Sequence, residues 1–213
     1  MIEVENILFD FNGTIVDDVD LCLELLNTML QACNHPKVAL KKYLDIFDFP
    51  VIEYYKKAGF VFPNDDFPKL ADYFIEEYGK RNVECQLIEG VKETLLFLKN
   101  KGKKIYIVSA SEIVLLKNQL SRYDLLDFFD GISGLDNIYA ASKIESAKIF
   151  IKKSNIDIEK SVFVGDTLHD AEVARELGMR CVLVAKGHQS KERLLKSDAI
   201  VVDSMMDLIK IVV

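Results

Sequence analysis

The chain lacks an uninterrupted apolar stretch of about 18 residues, the length a membrane-spanning helix needs. Its opening, Met1-Ile2-Glu3-Val4-Glu5, also lacks the basic-then-apolar pattern of a secretory leader. A cytoplasmic protein with no membrane partner is the expectation. Cysteine is scarce, and Cys22, Cys33, Cys85 and Cys181 have neither paired nor zinc-like spacing. Cys22 and Cys181 lie in apolar runs, where a thiol acts as a small hydrophobe. Positive charge is in deficit, with 27 Lys and Arg against 34 Asp and Glu and a formal net charge of −7. That balance argues against a nucleic-acid partner, which requires a basic stripe. The densest basic cluster, residues 99–104, reads as a helix end, where cations favour the dipole. Internal repeats and low-complexity tracts are missing too.

What remains is a 213-residue chain, half of it hydrophobic and 29% charged, which suits a folded domain with one core or a core plus a small satellite. Ile7-Leu8-Phe9 runs into Asp10, and Asn12-Gly13 then turns the chain. A short apolar run closed by turn residues reads as a buried strand of a parallel sheet. Ligands of such sheets bind outside the carboxyl ends of the strands, which is where Asp10 falls.

The next seventy residues read as helical. Cys22, Leu26, Met29, Leu30 and Cys33 recur at helical spacing over 18–33, and 38–47 is a shorter helical run before a break at Pro50. Asp66 is a predicted N-cap with Pro68 in the first turn; Phe67, Leu70, Ala71, Phe74, Ile75 and Tyr78 form an apolar stripe behind it. From residue 87 strands and helices alternate, with strands expected at 105–108, 128–132, 162–164, 181–184 and 199–202. The pattern predicts an α/β fold, a Rossmann-like parallel sheet in three α/β/α layers. It also predicts a helical insertion over 16–86, with linkers near 15–18 and 84–89 and no strand between them.

Chemistry-bearing residues collect at predicted strand ends. Ser109 follows Ile105 to Val108, Lys143 opens a helical run, and Val162-Phe163-Val164-Gly165 leads to Asp166, with Asp170 four residues on. Carboxylates with a hydroxyl and an ammonium group fit a magnesium and phosphate site, because Mg²⁺ takes one or two carboxylates plus substrate phosphate and keeps several waters. Asp166 and Asp170 equally suit the capping of a helix N-terminus.

Asp10-Phe11-Asn12-Gly13-Thr14, Ser109, Lys143 and Gly165-Asp166-Thr167-Leu168-His169-Asp170 resemble, in order, the four motifs of the haloacid dehalogenase-like hydrolases. The likeness spans essentially the whole chain and is nearest to the phosphoglycolate phosphatase-like branch, whose helical cap lies between the first two motifs. It implies a core domain of residues 1–15 and 87–213, with a cap domain of 16–86 that closes over the site and helps to select substrate. It also implies an Mg²⁺-dependent phosphatase acting on a small phosphorylated metabolite, as a monomer or weak homodimer. Asp10 would be the nucleophile that forms an aspartyl phosphate. Asp10, Asp166 and the backbone carbonyl of Asn12 would bind Mg²⁺, with Asp170 either a ligand through water or the group that orients Asp166 and Lys143. Ser109, the Ala110 amide and Lys143 would hold the phosphoryl oxygens. Thr14 counts among the substrate-side residues, with buttressing of the turn as its alternative. His169 lies between two site carboxylates without being required by the family, while His35 and His188 read as surface residues. Only Arg81 in the cap is an arginine that could clamp a second phosphate, which favours a monophosphate.

The sequence departs from the family at Asn12, where these phosphatases usually carry an aspartate as general acid and base. Such catalysis contributes roughly 10²–10⁴-fold. Several readings follow: a substrate with a good leaving group, a water or His169 as substitute, slow hydrolysis of the aspartyl phosphate, or a protein that transfers or only binds phosphate. Deamidation of Asn12-Gly13 would create an aspartate, and rescue of alkyl ester turnover by Asn12→Asp would mark the site as a phosphatase short of its acid. Phosphonate cleavage through a cap lysine is a further possibility, with Lys41, Lys42, Lys56 and Lys57 available.

Overall fold

The structure is a computed structural model and describes residues 3–135 and 143–212. Its centre is β1 (Asn6–Phe9), four residues with no exposed member. On one side β1 pairs in parallel with β4 (Lys104–Glu112), and on the other with β6 (Ser161–Gly165). β5 (Gly131–Leu135) lies outside β4, while β7 (Arg180–Val184) and β8 (Ile200–Val202) extend the sheet beyond β6. The strand order is β5-β4-β1-β6-β7-β8, so the chain winds outward in both directions from β1. The crevice at such a switch point is where an open α/β sheet takes its ligand. Register fixes what faces it: Phe9 is level with Ile107 and Val164, so Asp10, Ser109 and Asp166 emerge close together.

Helices cover both faces. They are α5 (Val91–Asn100), α6 (Ile113–Arg122), α7 (Lys143–Lys153), α8 (Leu168–Leu177), the one-turn α9 (Lys191–Leu194) and α10 (Met205–Ile211). Ile7, Phe9, Ile105, Ile107, Val162 and Val164 point into one apolar layer, and Leu8, Tyr106, Val108 and Phe163 into the other. This is the period-2 alternation of a sheet buried on both faces.

Four helices, α1 (Val19–Ala32), α2 (Leu40–Ile46), α3 (Val51–Ala58) and α4 (Phe67–Arg81), fill the insertion. Its ends are joined by a small antiparallel ribbon of β2 (Val16–Asp17) and β3 (Gln86–Leu87), located at the predicted linkers. Two residues per strand are too short to show a period, so this ribbon leaves no trace in the sequence pattern. Asp66 caps α4 as expected, accepting from the Lys69 amide. The apolar stripe is narrower than the sequence suggests: Leu70 and Tyr78 are buried, but Ile75 is 69% exposed. The strand expected at 128–132 begins three residues later, because Leu126–Phe128 forms a 3₁₀ turn. Among the described residues no helix is long and apolar enough to cross a membrane.

Candidate active site

Lys143, the first residue of α7, reaches the carboxyl end of the sheet. Its ammonium group contacts Asp10 Oδ1 and lies 2.7 Å from Asp170 Oδ1, and all three side chains are buried. The other oxygen of Asp170 accepts from the Thr167 amide at 3.0 Å, the Thr167 hydroxyl at 2.7 Å and the Asp166 amide at 3.2 Å. Thr167 and Asp170 thereby form a capping box at the start of α8. Capping and site chemistry are therefore combined in Asp170, which orients Lys143. Lys143 and the capping bonds hold the Asp170 carboxyl low against the cost of burial. Asp10 is raised: burial outweighs the pull of Lys143, and the charge of Asp170 adds to it.

Asp166, at the end of β6, is fixed from three sides. The Thr14 hydroxyl donates to Oδ1 at 3.0 Å and the His188 amide to Oδ2 at 2.7 Å. Gly13 and Gly187 press against the same carboxylate, and a Cβ built on either would fall 2.3 or 2.1 Å from Oδ2. Gly13 also has φ +70°, which a side chain would strain. Burial and the charges of Asp170 and Asp10 raise the Asp166 carboxyl, although His188 opposes them.

A second cluster adjoins the first. Asp18, between β2 and α1, is buried and accepts from Asn12 Nδ2 at 2.7 Å, the Tyr78 hydroxyl at 2.8 Å, the Gly13 amide at 3.0 Å and His188 Nε2 at 3.1 Å. Cys22 Sγ adds a contact at 3.7 Å. Burial works against the charge on His188, but Asp18, Asp166 and Asp10 more than compensate and push its imidazole up to about 9. Its other nitrogen lies 2.8 Å from the Tyr43 hydroxyl, and its ring stacks on Phe47 at 4.5 Å. Asn12 is equally committed: Nδ2 also reaches the Tyr78 hydroxyl at 2.6 Å, and Oδ1 accepts from the Ser111 hydroxyl at 2.8 Å. The Gly13 amide that deamidation would recruit is bonded to Asp18 and to the Val16 carbonyl.

Asp10, Thr14, Ser109, Lys143, Asp166 and Asp170 thus fall in one buried region, with Thr14 bonded to Asp166 and the half-buried Asn12 at its edge. Ser109 Oγ accepts from the Ser111 amide at 3.0 Å, and Ala110 is exposed. His169 stands aside, packed on Phe49 at 4.8 Å and 3.5 Å from Glu172. Arg81 is held by Glu24 and Glu84, Lys56 by Glu53 and Lys57 by Asp48. His188 corrects the sequence reading, since it is 3% exposed and central rather than a surface residue. The sequence pattern singles out neither Asp18 nor Tyr78 as a site residue. Their role depends on a fold that brings positions 12, 18, 78 and 188 together. The one sequence clue was a second carboxylate, Asp18, directly after Asp17.

Oxygen atoms of Asp10, Asp166 and Asp170 lie within 4.8 Å of one another. Four buried carboxylates (these three and Asp18) outnumber the two buried basic groups beside them, Lys143 and His188. Buried charge is costly without a partner. A hard divalent cation on oxygen ligands suits both the donor set and this excess of acidic groups.

Residues 7–184 match the family of haloacid dehalogenase-like hydrolases, and the chain belongs to that family. Among relatives, it is 26% identical over 211 residues to a phosphoglycolate phosphatase of Pseudomonas syringae, covering 95% of this chain and 78% of the relative. It is 23% identical to pyrophosphatase PpaX of Halalkalibacterium halodurans, covering 99% and 97%. A haloacid dehalogenase-like hydrolase from Streptococcus pneumoniae shares the fold with a TM-score of 0.83, at 20% identity over 98% of both chains.

Proposed function

We propose that this enzyme is an Mg²⁺-dependent phosphatase of small phosphate monoesters, working through an aspartyl phosphate on Asp10, and that residues 16–86 act as its cap over a core of 1–15 and 87–213. The observation that carries the reading is the buried meeting of Asp10, Asp166, Asp170 and Lys143 at the ends of neighbouring strands and helices. Phosphatase relatives support the reaction class. An Asp10 oxygen attacks phosphorus and forms the new P–O bond, while the ester P–O bond breaks and its electron pair leaves on the alkoxide or phenolate oxygen. Water then attacks phosphorus as the bond between phosphorus and the Asp10 oxygen breaks. The proton of that water passes to the departed alkoxide or phenolate or to solvent, and phosphate and the Asp10 carboxylate are released. Lys143, pinned by Asp170, holds Asp10 in place and offsets charge on the phosphoryl oxygens. Ser109 and the Ala110 amide hold those oxygens. Asp10, Asp166 and the Asn12 carbonyl would bind Mg²⁺, which supplies charge stabilisation for the transferring group.

Asn12 bears on which esters are cleaved. Its amide cannot exchange a proton with a leaving group, and all its polar side-chain atoms are already bonded. This favours substrates whose leaving group departs without protonation. Brief incubation with Mg²⁺ and p-nitrophenyl phosphate, acid quenching and peptide mass mapping tests the covalent step. A phosphoryl group on the peptide containing Asp10 is expected; none on it while phosphate is released would rule out the aspartyl intermediate.

A further inference from the structure

Asn12 and Asp18 are hydrogen-bonded 2.7 Å apart, and the protons around them can be counted. Asn12 Nδ2 carries two, one directed to Asp18 Oδ2 and one to the Tyr78 hydroxyl oxygen at 2.6 Å. Tyr78 passes its own proton to Asp18 Oδ2 at 2.8 Å. On the outer sides, Ser111 donates to Asn12 Oδ1, while the Gly13 amide and His188 Nε2 donate to Asp18 Oδ1. Every polar atom of both side chains is used, and every contact matches a donor with an acceptor.

We propose that Asn12 and Asp18 are an exchangeable amide and carboxylate pair. Asp18 is the positioning residue that orients the Asn12 amide and bars a carboxylate from position 12.

Asn12→Asp breaks the match, and the exchange restores it. Asn12→Asp alone sets two carboxylates against each other with only the Tyr78 proton between them, so two N–H bonds are lost and like charges meet. Asp18→Asn alone keeps the match only by turning the Asn12 amide over, so that its oxygen accepts from position 18 and Tyr78 and its NH₂ donates to the Ser111 hydroxyl. It also removes the charge that faces His188. In the double variant an amide at 18 donates to position 12 and to Tyr78, and Tyr78 donates to position 12. Ser111 still donates to position 12, and Gly13 and His188 still donate to position 18. Net charge is unchanged, but the carboxylate leaves position 18, so the ion pair of His188 with Asp18 becomes a bond to a neutral amide oxygen, and the Cys22 contact at 3.7 Å has no counterpart. The displaced charge sits on the neighbouring side chain, so the cost of two facing carboxylates is removed while His188 loses its direct partner.

The catalytic consequence rests on the phosphatase reading. Asn12→Asp alone does not give the site a usable acid and base, whereas the exchange places a carboxylate at position 12 within a complete set of donors.

The test is a double-mutant cycle on the full-length protein, with melting temperatures measured by calorimetry in EDTA at neutral pH. Asn12→Asp should lose at least about 5 °C, and adding Asp18→Asn should recover at least half of that loss, even though it weakens the His188 pair. A double variant that loses the sum of the single losses, or an Asn12→Asp protein as stable as wild type, overturns the proposal. If Asp18→Asn does not fold, the double variant must still melt above Asn12→Asp; the reverse order overturns it. In parallel, the ratio of alkyl to aryl phosphate turnover should rise about 10²-fold in the double variant and not in Asn12→Asp. Thermal recovery without phosphate release from any variant would remove the phosphatase reading and leave the pair. Additive thermal losses with active wild type would do the opposite.

Discussion

The imidazole of His188 donates to the carboxylate of Asp18 at 3.1 Å, with both side chains buried beside the candidate metal ligands. Its raised value of about 9, against 6.5 when unfolded, makes folding depend on pH. Because the folded value is the higher, the stabilisation is complete below about pH 6.5 and is lost as pH rises through 9. The shift corresponds to ~3 kcal/mol, or about 10 °C in a chain of this size. Melting curves from pH 6 to 10 in EDTA should show this loss in wild type. In His188→Gln, which carries no titrating group there, the curve should be flatter by that amount. Equal slopes for both proteins would contradict the charged pair.

Lys143 holds Asp10 and Asp170 together, so removing it leaves two buried carboxylates with no cation between them. Lys143→Met should lower the melting temperature by about 10 °C at pH 8, since breaking one partner of a buried pair costs about 3–5 kcal/mol. At pH 5 the loss should be smaller, because Asp10, already raised by burial, can take up a proton. Turnover should fall at least 10²-fold at both pH values. Stability and phosphate release at the two pH values check this directly.

Raised carboxyls at Asp10 and Asp166 also shape metal binding. Ligands must be deprotonated to bind, so Mg²⁺ should displace protons and bind more weakly as pH falls towards 5. Calorimetric titration in two buffers of different ionisation enthalpy reads the proton count. Proton release is expected at pH 6 and should diminish by pH 8.5. Asp166→Asn should abolish the thermal stabilisation that Mg²⁺ gives to wild type.

Much of this was legible in the chain. β1, β4 and β6 are apolar runs ending in Asp10, Ser109 and Asp166, and local pattern suffices to place such residues at strand ends. Lys143, one lysine among many, stands out only as a member of the ordered set of motif residues, and Asp170 by its place four residues after Asp166. The network around Asn12 was not legible, because Asp18, Tyr78 and His188 belong to three distant segments whose meeting depends on how the helical insertion packs on the sheet. His188 shows why. It follows Gly187 in a polar stretch that looks solvent-facing, yet its ring is covered by Tyr43 and Phe47 from the insertion. The β2 and β3 ribbon escaped because two-residue strands carry no periodic signal.

The most direct test of the account is phosphate release from p-nitrophenyl phosphate by wild type and Asp10→Asn, each with Mg²⁺ and with EDTA. Release by wild type that requires Mg²⁺ and vanishes in Asp10→Asn is the predicted result. Release that persists in Asp10→Asn, or a folded wild type that releases none with Mg²⁺ present, would contradict the assignment of Asp10 as the nucleophile of a metal-dependent phosphatase.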